Sequence, residues 1–181
     1  NASGKTNFFK ALRFAKSLVV TGTRPNTPIL VEPFKLDKTM AGNPSSFVFG
    51  LLIGEDIYEF SFSVTQKEVM EERLVLITAT SERELYNRRK GTITLDKTYD
   101  TETRSFLEFA FRGTRDNQLY LTNSVSQNID AFKAVYDWFA VSLTLIAPDS
   151  RFGSFEQFLD ENNRLYPAMN DALANLDTGI T

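Results

Sequence analysis

The sequence predicts an α/β domain in which one helix packs on a mainly antiparallel β-meander and further helical segments follow. Two changes in the spacing of apolar residues along the chain support this prediction. Apolar residues recur at helical spacing over residues 4–20, alternate with a period of two over much of residues 29–95, and return to helical spacing beyond Thr98. The 181 residues fit one domain with a sizeable core.

The first predicted element is a helix over residues 4–20. The apolar positions that recur at helical spacing are Phe8, Leu12, Ala15 and Val19. Gly22 follows as a C-terminal cap, and the prolines at positions 25 and 28 prevent the helix from continuing. This element is therefore amphipathic and ends in a defined place.

The next predicted elements are strands. Residues 29–36 form at best an edge strand, because Pro33 interrupts them. Residues 47–52 and 58–64 alternate on either side of the turn formed by residues 54–56, which predicts a β-hairpin. Further strands are predicted over residues 73–80, 84–90 and 91–95.

Beyond Thr98 the chain is predicted to be mainly helical. Residues 129–139 fit one helix face, whereas the apolar residues 106–111 do not favour either type of element. The β-branched run over residues 141–146 predicts a strand that ends before Pro148. Two helical segments are predicted at residues 155–162 and 165–176.

The composition excludes several kinds of chemistry. The chain has no Cys and no His, which removes disulfides, thiol catalysis, serine–histidine triads and ordinary zinc catalysis. Its net charge of -3 does not indicate a nucleic-acid binder that acts through bulk charge. No apolar run is long enough to span a membrane, and the lack of Cys fits a reducing compartment, so we expect a cytoplasmic protein with no membrane partner.

Chemistry is most strongly indicated at the start of the chain. Gly4-Lys5-Thr6, after Asn1-Ala2-Ser3, matches the end of a Walker A pattern whose first Gly would lie two residues before Asn1. A glycine lets the backbone approach phosphate, Lys supplies a compact cation, and a Thr hydroxyl is a hard ligand suited to Mg²⁺. The alternative is an ordinary helix start with Ser3 or Thr6 as N-cap and Lys5 exposed.

These first residues, with Asn7 and the Phe-rich helix that follows, resemble the P-loop of bacterial ABC-like AAA-type ATPases of the OLD- and Rlo-related group. Asp177-Thr178-Gly179-Ile180 near the other end of the chain is the second specific match. Other segments similar to that group are residues 32–36, 58–62, 69–74 and 136–139. The resemblance therefore extends along the whole chain.

The resemblance implies ATP binding, and ATP hydrolysis coupled to a conformational change in the parent protein. It implies that the nucleotide is held by Ser3, Gly4, Lys5, Thr6 and Asn7, with Thr6 also binding Mg²⁺. It assigns no catalytic residue. It further implies a homodimer that sandwiches nucleotide, an effector nuclease as partner, and a role in phage defence or DNA-associated processes.

Members of this group also carry a signature motif and a Walker B segment, and the sequence shows neither. The apolar run over residues 141–146 leads into Ala147-Pro148-Asp149, which contains no acidic pair. We therefore expect residues 1–181 to be a single partial domain, the amino-terminal lobe of an ABC-like ATPase, that does not hydrolyse ATP alone. The alternative function is a non-catalytic docking domain with an idle P-loop remnant.

Three other groups of polar residues are weaker candidates. The carboxylates of Glu68, Glu71 and Glu72 suggest a metal or acid–base site, although a solvated strand entry explains them better. A basic stretch near Tyr86 suggests nucleic-acid contact, with a solvated meander as the favoured alternative. This stretch consists of Arg83, Arg88, Arg89 and Lys90. Two glutamines, Gln118 and Gln127, are open alternatives for the Mg²⁺-binding Gln of ABC-type domains.

Overall fold

The computed structural model describes residues 4–32 and 43–146, together with Pro167 and Asp171. The chain divides into two compact units, Asn1–Leu145 and Ile146–Thr181. The first unit contains five strands and four α-helices among its described residues. In chain order these are α1 (Lys5–Val20), β1 (Ser45–Ile53), β2 (Asp56–Val64), β3 (Val69–Ile77), β4 (Glu82–Arg89), β5 (Thr92–Leu95), α2 (Thr101–Arg112), α3 (Tyr120–Ser126) and α4 (Lys133–Asp137).

The five strands form one antiparallel sheet in the order β1-β2-β3-β4-β5, so the predicted meander is confirmed. The β1–β2 hairpin pairs Phe47 with Phe62 and Phe49 with Phe60. Its alternating pattern fixed the register, because a slip of one residue would move every aromatic ring to the opposite face. The predicted strand at residues 84–90 is β4.

The core lies on one face of this sheet, against the helices that follow it. Phe60, Phe62 and Tyr86 are fully buried there. Phe139 packs edge-on to Phe60 at a ring-centroid distance of 5.9 Å, and Tyr120 packs edge-on to Tyr86 at 5.0 Å. Burying a side chain of this size contributes about 1.5–3 kcal/mol, so these rings account for much of the attachment between sheet and helices.

The first helix is confirmed, together with its C-terminal glycine. Gly22 has a φ of 68° and donates its N–H to the carbonyl of Ser17 at 3.1 Å. A Cβ at this position would lie 3.3 Å from Cγ2 of Thr122 in α3, whose hydroxyl donates to the carbonyl of Val19 at 2.7 Å. The glycine therefore ends the helix and also permits the close approach of α3.

The prediction of a strand over residues 141–146 is wrong. Trp138–Ser142 is a short π-helical segment, and residues 143–146 have no regular structure. The β-branched composition is overridden by packing, because the buried ring of Phe139 contacts the sheet. Lys16 of α1 also donates to the carbonyl of Leu143 at 2.6 Å, which holds the end of the segment in place.

Other predicted boundaries differ as well. The single helix predicted over residues 129–139 is divided into a 3₁₀ turn at Asp130–Phe132, then α4 and the π-helical segment. The apolar residues 106–111 lie in α2. Residues 29–32 form no strand, and Ile29 instead donates its N–H to the carbonyl of Gln66 at 2.9 Å. The rest of the predicted edge strand, residues 33–36, and the helices predicted at 155–162 and 165–176 lie outside the described residues, apart from Pro167 and Asp171.

No helix in the described part of the chain is both long enough and apolar enough to cross a membrane.

A buried carboxylate attaches α3 to the sheet. The N-cap residue of α3 is Leu119, which has no side chain able to accept a hydrogen bond from the helix. Glu72 of β3 supplies the acceptors instead, at 2.6 Å from the N–H of Tyr120 and 2.8 Å from the N–H of Leu121. The hydroxyl of Tyr86 donates to the same carboxylate at 2.9 Å. A strand residue thus caps a helix that begins 48 residues later.

Arg88 of β4 completes this cluster. Its Nη1 lies 3.6 Å from Oε2 of Glu72 and donates to the carbonyl of Gln118 at 2.6 Å. Both charged side chains are almost completely buried. Burial raises the pKa of the Glu72 carboxyl, while Arg88 and the three donors oppose that rise. Arg88 therefore fixes the segment before α3, and Glu72 fixes the first turn of α3.

We predict that Glu72→Gln lowers the free energy of unfolding by about 3–5 kcal/mol, because an amide leaves Arg88 buried without its counter-charge. Glu71→Gln is the matched control. Glu71 pairs with Arg89 at 2.7 Å on the opposite face, where its side chain is 38% exposed, and such pairs contribute about 0–1 kcal/mol. Urea unfolding of the two variants measures both losses. Equal losses would show that the buried carboxylate has no special role.

Candidate functional site

The site predicted from the sequence lies at the start of α1. Gly4 is the N-cap residue and adopts the left-handed conformation, with φ 73° and ψ -6°. Its carbonyl accepts the N–H of Phe8 at 2.9 Å, which closes the first helical turn. Among the described residues, no atom outside its chain neighbours and its own helix lies within 4 Å of the position that a Cβ would take, so it is the backbone conformation that favours glycine here.

None of the described residues supplies a capping side chain to the first turn of α1. Gly4 cannot supply one, and no acidic residue lies in the turn. Thr6 lies inside the helix, so the alternative in which Thr6 is the N-cap is wrong, whereas Ser3 lies outside the described residues. The first N–H groups of this 16-residue helix have no partner among the described residues, and at the positive end of the helix dipole they favour an anion.

The side chains of Lys5, Thr6 and Asn7 are all exposed at this end of the helix. Among the described residues, none of the three forms an ion pair or a side-chain hydrogen bond with another residue. The structure therefore places Gly4, Lys5, Thr6 and Asn7 on one turn, with a cation and a hydroxyl available to a ligand. Their predicted contacts with nucleotide and Mg²⁺ stay predictions.

The two halves of α1 differ in burial. Phe8, predicted on the apolar face, is 68% exposed, whereas Ala15, Leu18 and Val19 are buried. The contacts that hold the helix lie in its carboxyl-terminal half. Phe14 packs on Phe47 at a ring-centroid distance of 5.3 Å, besides the bonds of Lys16 and Val19 described above. The turn that carries the candidate site thus lies at the opposite end of α1 from the contacts that the described residues make with it.

The three glutamates do not form a site. Glu72 is buried in the core, and Glu71 lies on the opposite face of β3 in its ion pair with Arg89. No three acidic side chains come close enough to hold a metal ion anywhere in residues 4–32 and 43–146. The preferred explanation, a solvated strand entry, missed the burial of Glu72. The alternation of β3 contained that signal, because Glu72 shares its face with Leu74.

The basic stretch does not form a cationic surface. Arg88 is buried, Arg89 is paired with Glu71, and Arg83 is paired with Asp96 at 2.8 Å. Lys90 lies in the turn between β4 and β5. Three of the four cations are thus already neutralised within the fold, which argues against phosphate contact through this stretch.

Neither glutamine is brought to the candidate site. Gln118 is buried beside Asn117, whose carbonyl accepts the hydroxyl of Thr23 at 2.5 Å. Thr23 lies just beyond the carboxyl end of α1, and a helix of 16 residues is about 24 Å long. Gln127 is exposed and follows α3, whose contact with α1 is also near its carboxyl end, at Val19.

Comparison with known families agrees with these features. Residues 1–176 match the family model described as "AAA domain, putative AbiEii toxin, Type IV TA system". No curated protein and no solved structure matches the chain. The match supports the general kind, a nucleotide-binding AAA domain, and the narrower resemblance to the OLD- and Rlo-related group stays a prediction. Because the match to the family model covers almost the entire sequence, the chain belongs to this AAA domain family.

Proposed function

We propose that the first turn of α1 binds the phosphates of ATP together with Mg²⁺, and that the natural protein couples this binding to ATP hydrolysis and a conformational change. The observation that carries the proposal is the exposed start of α1, where the left-handed Gly4 precedes Lys5 and Thr6, and where none of the described residues caps the helix or pairs with these two side chains. Membership of the AAA domain family supports ATP as the anion.

Each residue of the turn has a distinct role in this proposal. Gly4 allows the phosphates to approach the backbone, and the N–H groups of the first turn donate to their oxygens. Lys5 places its ammonium group against the β and γ phosphates. Ser3 and Asn7 add contacts from the loop and the helix start.

Mg²⁺ fits the donors that this turn offers. The Thr6 hydroxyl is a hard oxygen, which Mg²⁺ prefers, and the remaining positions around the ion are those that it normally fills with phosphate oxygens and water. When bound, the ion neutralises negative charge on the transferred phosphate. We assign phosphate binding and Mg²⁺ coordination to this turn and no catalytic base to any residue of the sequence.

The anchoring of α1 suggests how binding at this turn affects the rest of the unit. Thr122 bonds to Val19 at the carboxyl end of the helix, and Asn117 donates to the carbonyls of Arg24 and Thr27 at 2.9 and 2.8 Å. Both residues lie next to the cluster of Glu72 and Arg88. A rigid helix thus connects the proposed phosphate site to the junction between α3 and the sheet.

The biological setting is a broader part of the same proposal. The resemblance to the OLD- and Rlo-related group supports phage defence with an effector nuclease as partner, and the family description refers to a putative toxin of a Type IV TA system. Binding of nucleotide between two copies is the form of assembly that the resemblance supports. A docking domain without nucleotide is the alternative that the following experiments distinguish.

We predict that Lys5→Ala weakens ATP binding by the natural protein at least about tenfold, the equivalent of one charge-assisted hydrogen bond. Lys10→Ala is the matched control, because Lys10 is an exposed lysine further along α1. Titration with a fluorescent ATP analogue in the presence of Mg²⁺ measures both affinities. If Lys5→Ala binds as tightly as Lys10→Ala, the proposal fails and the idle-loop alternative is favoured.

We further predict that Thr6→Ala reduces the affinity for ATP about three- to tenfold when Mg²⁺ is present, because an oxygen ligand is lost. The same titration in EDTA provides the control, since the Thr6 hydroxyl then has no ion to bind and the affinity should match that of the unmodified protein. An equal loss with and without Mg²⁺ would assign Thr6 to the phosphates instead.

A further inference from the structure

Helix α2 exposes an aromatic stripe that has no partner within the described residues. Phe106 is 57% exposed and Phe109 is 69% exposed. Ser105, which is also exposed, lies between them and the start of the helix. Residues three and four positions apart share a helix face, so these side chains form one continuous surface.

The two exposed rings belong to a helix that is firmly held in the fold. Leu107 and Ala110 on its opposite face are fully buried. Asp100 caps the amino end by accepting the N–H of Thr103 at 2.8 Å, and Arg104 donates to the carbonyl of Asp96 at 2.7 Å. The two exposed rings are therefore presented by a fixed backbone, which lowers the entropy lost on binding a partner.

The charges at the two ends of the stripe are complementary. Glu102 lies in the first turn of α2 and Arg112 in the last, and both are exposed. Neither forms an ion pair with any other residue that the structure describes. Ten residues of helix separate them by about 15 Å, so they cannot pair with each other in one copy.

We propose that α2 is a homodimer interface, in which the stripe packs antiparallel against α2 of a second copy. A two-fold axis at the middle of the helix brings Glu102 level with Arg112 of the second copy, and this pair occurs twice. The same alignment puts the small Ser105 level with the large Phe109, which allows the two surfaces to interlock. A parallel arrangement would put like charges together, so the charges select the antiparallel one.

This interface needs no nucleotide and does not include the start of α1. It therefore differs from a dimer that sandwiches ATP, and it does not depend on the proposed function. The dimer should form in the natural protein without nucleotide and should persist in Lys5→Ala.

Charge exchange tests the proposal by sedimentation velocity of the natural protein without nucleotide, at concentrations of tens of micromolar. Each single reversal, Glu102→Arg or Arg112→Glu, should raise the dimer dissociation constant at least about tenfold, because two like-charged contacts replace two ion pairs. The double variant Glu102→Arg/Arg112→Glu should return the dissociation constant to within about threefold of the original. Recovery of this kind does not arise from misfolding.

Two control reversals, Glu55→Arg and Arg13→Glu, change exposed charges outside α2 and should leave the dimer unchanged. Phe109→Ser should abolish it while circular dichroism shows a folded protein. The proposal is overturned by a protein that stays monomeric without nucleotide. It is also overturned by single reversals without effect, or by a double variant that does not recover. Dimerisation that requires ATP and is lost in Lys5→Ala would assign the contact to a nucleotide sandwich instead.

Discussion

The carboxylate of Glu72 is the constraint on which the arrangement of this unit depends. It is a fully buried charge, and burying a charge costs several kcal/mol unless partners offset the loss of water. Here the partners come from two other elements, namely Tyr86 and Arg88 of β4 and the first turn of α3. Only one position of α3 relative to the sheet satisfies all of them. The sheet therefore specifies where α3 begins, and the buried rings around Tyr86 then fill the space between them.

The position of α3 determines in turn how α1 is held. Thr122 and Asn117 both come from the segment that Glu72 and Arg88 fix, and they bond to the carboxyl end of α1 and the turn after it. The amino end of the same helix has no comparable attachment among the described residues, and Phe8 there is largely exposed. A helix that the described residues hold at one end only suits a turn that must accept a ligand, because its backbone is fixed while none of these residues pairs with the donors of its first turn.

The sequence predicted the elements whose local pattern agreed with their final environment. The hairpin of β1 and β2 followed from strict alternation, and α1 followed from its spacing and from Gly22. The run over residues 141–146 was predicted incorrectly because its composition favours a strand, whereas Phe139 and Lys16 supply contacts that no local pattern contains. Glu72 was missed because neighbouring glutamates suggest a solvated surface, although alternation alone places it beside Leu74. At the candidate site, the sequence predicted the residues, and the structure added the conformation of Gly4 and the finding that no described residue caps the helix.

Pairing distinguishes the cations of this chain better than their position in the sequence does. Arg73 and Arg89 are each bound to a carboxylate of the sheet, Arg83 is bound to Asp96 just after β5, and Arg88 is buried against Glu72. To contact a phosphate, each of these arginines would have to give up its present partner, so the net gain in binding free energy would be small. Lys5 has no such partner among the described residues, and it stands where the helix dipole also favours an anion. The basic stretch of β4 contains more positive charge, yet the single lysine at the start of α1 has more of its charge available, and this availability makes the first turn the stronger candidate for binding ATP.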